Sequence, residues 1–166
     1  MDIKRLVDKL GLSVVPREGG HFAETYRSDE SVPASALGSR HSRDKSVSTA
    51  IYYLLTADTF SEMHSLISDE VYHFYGGDPV EMLQLLPDGS HNLITLGSDI
   101  LAGQAVQVVV PRGVWQGSRL KSGGEYALLG TTVAPGFDSS DYEHGDRERL
   151  IRDYPDCARM IRSLTR

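Results

Sequence analysis

The chain has 166 residues, 40% of them hydrophobic and 24% charged, with a formal net charge of −6 at pH 7. That length suits one domain, residues 1–166, around one core, and the composition excludes a disordered or fibrous chain. The acidic balance leaves no basic footprint for a nucleic acid polymer, the single Cys157 excludes an internal disulfide, and no apolar run approaches the ~20 residues of a membrane span. With no apolar leader at the N-terminus, the expectation is a reduced, cytoplasmic protein.

Residues 2–10 read as a helix. Asp2 can cap it, Ile3, Leu6, Val7 and Leu10 fall on one face, and Gly11 stops it. Pro16 and Gly19-Gly20 precede an extended run, HFAETYRS; no Lys-Ser/Thr follows the glycines, so they are a turn and not a phosphate loop. Residues 28–48 are polar, with Pro33, Gly38, Arg40, Arg43 and Lys45, and their length suits a mobile loop or a lid. From 47 to 135 the pattern is β, with strands expected at 47–55, 60–65, 70–75, 80–86, 92–96, 105–110, 115–120 and 126–133. Turn residues separate them: Gly76-Gly77-Asp78-Pro79, Pro87-Asp88-Gly89, Pro111-Arg112-Gly113 and Gly123-Gly124. Short strands at this spacing, without helices between them, predict an all-β sandwich or barrel. Past Pro135-Gly136 the chain turns helical: one piece ends at Leu150, Ile151 and Tyr154, and Pro155 can start another with Ala158, Ile161 and Leu164 on its apolar face. Cys157 falls in that pattern as inert packing.

Two segments inside the β region carry the chemistry, SEMHSLISDEVYHFYGG at 61–77 and GQAVQVVVPRGVWQGS at 103–118. Strand alternation puts Glu62 and His64 on one face, and Glu70, Tyr72 and Phe74 on one face of the next strand, with His73 turned away. The second segment stops at Pro111-Arg112-Gly113, where a tight turn requires φ > 0 at Gly113, and then delivers Trp115 and Gln116. This layout resembles the two motifs of the cupin superfamily, with Glu62 where the first motif has its first His and Gln116 where the second has its last. REGGHFAETYRS, STAIYYLL, HSLISDEVYHFYGG, VVVPRGVWQGS and TTVAPGFDSSDYE, in that order, resemble the small single-domain branch known as a domain of unknown function. The resemblance implies a cupin jelly-roll barrel with a short N-terminal helix and C-terminal helices, a pocket inside the barrel, a dimer, and similarity to nucleotide-sugar epimerases. It also implies a ligand-like cluster of Glu62, His64, Glu70 and Gln116.

The leading expectation is a small-molecule-binding cupin that acts as an isomerase or epimerase on a sugar or nucleotide-linked substrate. His64 is its base, Glu70 its carboxyl partner, Tyr72 or Tyr53 an acid, and Arg27 or Gln116 an anchor for a carbonyl or phosphate. Arg27, Tyr53, Phe74, Gln84, Trp115 and Gln116 are ligand-binding candidates; Arg27 can grip a phosphate or carboxylate, and the aromatics can stack on a planar group. An alternative is a metal-dependent dioxygenase or lyase holding Zn, Fe, Mn or Ni on Glu62, His64, Glu70 and Gln116, with a lone imidazole as a weak anchor. Another is a ligand-binding module without turnover. His41, His91 and His144 lie in polar contexts and are expected to be solvated. A homodimer is expected, HFAETYRS adding a strand to the neighbour's sheet to cover an edge.

Overall fold

The structure is a computed structural model and describes residues 2–16 and 18–166. Helix α1 (Ile3–Leu10) forms as its cap residues dictate. The Asp2 side chain accepts from the Arg5 amide at 3.1 Å, and Gly11 closes the helix at φ 63°. Strands β1 (Ser13–Val14) and β2 (His21–Arg27) follow, then β3 (Ser31–Val32), a single helical turn α2 (Ala34–Leu37) and β4 (Lys45–Ser46). Next come β5 (Thr49–Thr56), β6 (Phe60–Leu66), β7 (Asp69–Gly77), β8 (Val80–Leu85), β9 (His91–Leu96), β10 (Gln107–Val110), β11 (Trp115–Leu120) and β12 (Tyr126–Ala134). A short β13 (Tyr142–His144) precedes α3 (Arg147–Asp153) and α4 (Ala158–Ser163).

The strands form two main antiparallel sheets that face each other as a jelly roll. One has the order β1-β2-β5-β12-β7-β10 and the other β13-β6-β11-β8-β9. Between them lies an apolar core built from Tyr53, Leu55, Tyr72, Val80, Met82, Leu96, Val108 and Leu129. A second cluster covers the outer face of the five-stranded sheet, where Met63, Leu83, Leu85 and Trp115 pack on Leu150, Cys157, Ile161 and Leu164 from the C-terminal segments. That sheet is therefore buried on both faces. The Pro111-Arg112-Gly113 turn is as the sequence requires, with Gly113 at φ 76° and the Val114 amide donating to the Pro111 carbonyl at 3.1 Å.

One region differs from the sequence expectation. Residues 28–48 are tied down: β3 pairs with β4, and the Lys45 ammonium reaches both Asp141 carboxylate oxygens, at 2.6 and 2.8 Å, with both side chains buried. Strand β2 pairs with β5 along one side, while β1 covers only His21 and Phe22 on the other, so residues 23–27 stay at an open edge of the sheet. His41, expected in solvent, is buried, while His91 is exposed. No helix is long and apolar enough to cross a membrane among the described residues.

Candidate functional site

A cavity of about 600 Å³ opens between the sheets. Its walls are mostly apolar, and His64, Glu70 and Tyr72 line it, as do Tyr53 and Arg27. Strand register explains the convergence. On the five-stranded sheet Gln116 sits directly opposite His64 on β6 and Gln84 on β8, so all three face inward. On the six-stranded sheet Glu70 and Tyr72 are two apart on β7 and face inward as well.

The Gln116 amide spans the gap between the sheets. Its nitrogen lies 2.7 Å from a Glu70 carboxylate oxygen, 3.1 Å from the Tyr72 hydroxyl and 3.0 Å from His64 Nε2. His64 Nδ1 is 2.7 Å from the Glu62 backbone carbonyl. A carbonyl can only accept, so Nδ1 carries the proton, and in this arrangement Nε2 accepts from Gln116. The His64 ring also stacks on Tyr142, with centroids 5.1 Å apart. Burial pushes the Glu70 carboxyl up to about 7; the neighbouring His64 and hydrogen bonds from Thr131 and Gln116 pull the other way, and the nearby Glu18 adds to the rise. Burial also raises Tyr53 and Tyr72 well above the usual phenol value, so both stay protonated across the physiological range. The Tyr53 hydroxyl donates to the Gly19 carbonyl at 2.9 Å. Gly20 permits that approach: at φ 74° it takes a left-handed turn, and a Cβ there would sit 2.8 Å from the hydroxyl.

The remaining sequence candidates lie apart from this cluster. Glu62 shares a face with His64, but the β6–β11 register slips between Gln116 and Ser118, and the Glu62 carboxylate turns to Arg166 and His144. Both ion pairs leave Glu62 buried and unavailable to Glu70. His144 is half exposed and spends its Nε2 on this contact, at 3.2 Å. Trp115 points outward into the helix-covered cluster, with the Arg149 guanidinium 5.7 Å from its ring centre. Gln84 faces inward, but its amide donates to the Val109 carbonyl at 3.0 Å and bridges the sheets. Phe74 is core, packed beside Tyr72 and Leu129. Arg27 reaches the cavity with its guanidinium already engaged. Nε and Nη2 grip both Glu24 oxygens at 2.9 and 2.7 Å, and Nη1 and Nη2 each donate to the Phe137 carbonyl at 3.2 Å.

The expected metal donors do not assemble. Without Glu62 the set is one imidazole, one carboxylate and an amide that turns its nitrogen toward both, and an amide N–H is no ligand. Among the described residues no group of three or more His, Cys, Asp or Glu side chains is placed to hold a metal ion.

Residues 4–145 match the family model described as the cupin superfamily (DUF985). The chain belongs to that family. An uncharacterized protein of Saccharomyces cerevisiae is 33% identical over 135 residues, covering 76% of this chain and 67% of its own. Two solved structures superpose over nearly the full length. A protein of Shewanella oneidensis has TM-score 0.87 and 29% identity over 100% of this cupin and 98% of that chain. A hypothetical protein from Leishmania major has TM-score 0.87 and 27% identity over 98% and 97%. An oxalate decarboxylase chain from Bacillus subtilis, at 12% identity and TM-score 0.55 over 92% of this cupin and 37% of that chain, shares the fold alone.

Sequence reasoning passed over Glu18, Phe22, Phe137, Asp138 and Tyr142, which also line the cavity. Phe22 was within reach, since alternation along β2 sets it on one face with Glu24. Tyr142 belongs to the quoted TTVAPGFDSSDYE stretch, but its three-residue strand is too short for an alternation signal.

Proposed function

We propose that this cupin binds a small carbonyl compound in the barrel and catalyses proton transfer at the carbon beside the carbonyl, as an isomerase or epimerase does. The observation that carries it is the linkage of Glu70, His64 and Tyr72, all lining a largely apolar cavity, through one buried amide. Glu70 is the better proton acceptor of the two bases. Its carboxyl, pushed to about 7 by burial, changes charge where a proton carrier must, and it has two oxygens of which one accepts from Gln116, whereas His64 uses Nδ1 on the Glu62 carbonyl and Nε2 on Gln116. Removal of the carbon-bound proton leaves an enediolate, and the Tyr72 phenol, still protonated, donates to the developing oxyanion. Glu70 then returns the proton to the former carbonyl carbon while the adjacent hydroxyl gives its proton, through Tyr72, to the former carbonyl oxygen, which completes an isomerisation; return to the original carbon from the same side regenerates substrate, and epimerisation needs a second donor on the opposite face.

The nucleotide-linked substrate has less support. Arg27, its intended phosphate anchor, is neutralised by Glu24 inside the chain. Sugars without phosphate remain the favoured class. The test is deuterium incorporation at carbon from heavy water, followed by NMR, over a panel of aldoses, ketoses, uronates and amino sugars. Wild type should label at least one, and Glu70→Gln should label it about 100-fold or more slowly, the usual scale for loss of a general base. Labelling at equal rates in both proteins would refute the assignment, and so would no labelling of any member.

A further inference from the structure

We propose that the barrel cavity selects an organic cation, an amine or other onium group on an apolar body, over phosphorylated or carboxylated molecules. The inference rests on the cavity being a ligand site, as proposed above, and adds the charge of the ligand. Among the described lining residues the carboxyl groups are Glu18, Glu24, Glu70 and Asp138, and the one permanent cation is Arg27. Arg27 cancels Glu24 through its paired contacts and gives its remaining donors to Phe137. The described donors to the other acids are neutral. Ser61 donates its hydroxyl to Glu18 at 3.1 Å, and Ser140 donates its amide to Asp138 at 2.9 Å and its hydroxyl at 2.5 Å. Those serine bonds, with Lys45 and Arg43 nearby, hold Asp138 below the ordinary carboxylate range, so it keeps its charge.

A neutral donor satisfies a carboxylate's hydrogen bonding and leaves its field in place. Apolar walls give that field little screening, so an entering anion meets repulsion from Glu18, from Glu70 once ionised, and from Asp138 to the extent that Lys45 and Arg43 leave its field unopposed. An entering cation meets attraction from the same groups. It also meets ring faces: Phe22, Tyr53, Phe137 and Tyr142 line the cavity, and aromatic faces attract ammonium groups. The apolar wall accounts for the body of the ligand, and the carboxylates with the rings account for its head.

Three probes with one skeleton and three charges test this: 4-phenylbutylamine, 4-phenylbutan-1-ol and 4-phenylbutyrate, titrated calorimetrically into the full chain at pH 8. The amine should bind about tenfold or more tighter than the alcohol, and the carboxylate weaker than either. Replacing Glu18→Gln and Asp138→Asn together should bring the amine within about threefold of the alcohol; Glu18→Gln alone should shift it the same way if the double variant does not fold. A second readout uses Glu70, which faces Glu18, His64, Tyr72 and Gln116: at pH 7 the incoming cation should favour its ionised form, so amine binding releases protons in wild type and none in Glu70→Gln. Carboxylate binding as tight as amine, an amine preference unchanged in the variants, or no binding of any probe would each overturn the proposal. Amine preference without deuterium labelling of any sugar would leave the charge selectivity standing and remove the isomerase. Labelling together with carboxylate preference would do the reverse.

Discussion

Replacing Glu70 with Gln keeps the shape of the side chain and removes its charge, and the effect on stability should depend on pH with a definite sign. In the folded chain the Glu70 carboxyl stands at about 7, against an ordinary value of 4.5. Between those values the folded state holds a proton that the unfolded chain has lost. Its contribution is therefore fully present below pH 4.5 and disappears as pH rises through 7. That displacement corresponds to roughly 3 kcal/mol, most of which falls between pH 5 and pH 8. Glu70 is buried, so solvent screening takes little from this figure. Gln carries no ionisable group, and the variant should gain on wild type by about 2–3 kcal/mol from pH 5 to pH 8, or some 5–10 °C in melting temperature for a chain of this size. The difference between the two proteins isolates Glu70 from every other titrating side chain. Urea unfolding of both at pH 5, 6, 7 and 8 supplies the measurement. Parallel stability curves would mean that the folded state leaves the carboxyl at its ordinary value, and Glu70 would lose its standing as the tuned base.

Three other outcomes follow from placement. Trp115→Ala opens a void against Leu150 and Ile161 and should cost about 3–5 kcal/mol in denaturant titration, while probe affinity in the cavity stays at wild-type level; lost binding with stability intact would put Trp115 in the site after all. Glu62→His should leave Zn²⁺ affinity unchanged in a competition titration, since residue 62 turns toward Arg166 and His144 and away from Glu70, and a tenfold gain would show that a metal set can form. Light scattering should give twice the 18.3 kDa chain mass, because Val106 and Val109 are exposed beside the outer strand β10, and Val109→Asp should lower that mass; a monomer at about 100 µM would remove the dimer.

Local chemistry in the sequence determines much of this protein. Asp2 and Gly11 bound α1, Gly113 must take positive φ after Pro111, and alternation on β7 gives Glu70 and Tyr72 one face. The spacing of the two motifs likewise brings His64, Glu70, Tyr72 and Gln116 to one cluster, since strand length and turn type leave the register little freedom. What the tertiary structure decided concerns which face is which and which charges are already spent. The five-stranded sheet is buried on both faces, so alternation alone does not say whether Trp115 or Gln116 points inward; the helices that cover Trp115 lie some 35 residues or more further along the chain. Glu62 and Arg27 look like free functional groups in the sequence. Each is neutralised by a partner, Glu62 by Arg166, 104 residues away, and Arg27 by Glu24 with Phe137, 110 residues away, holding it in place. A charge is quenched by whatever the fold sets beside it, and separation along the chain carries no record of that neighbour.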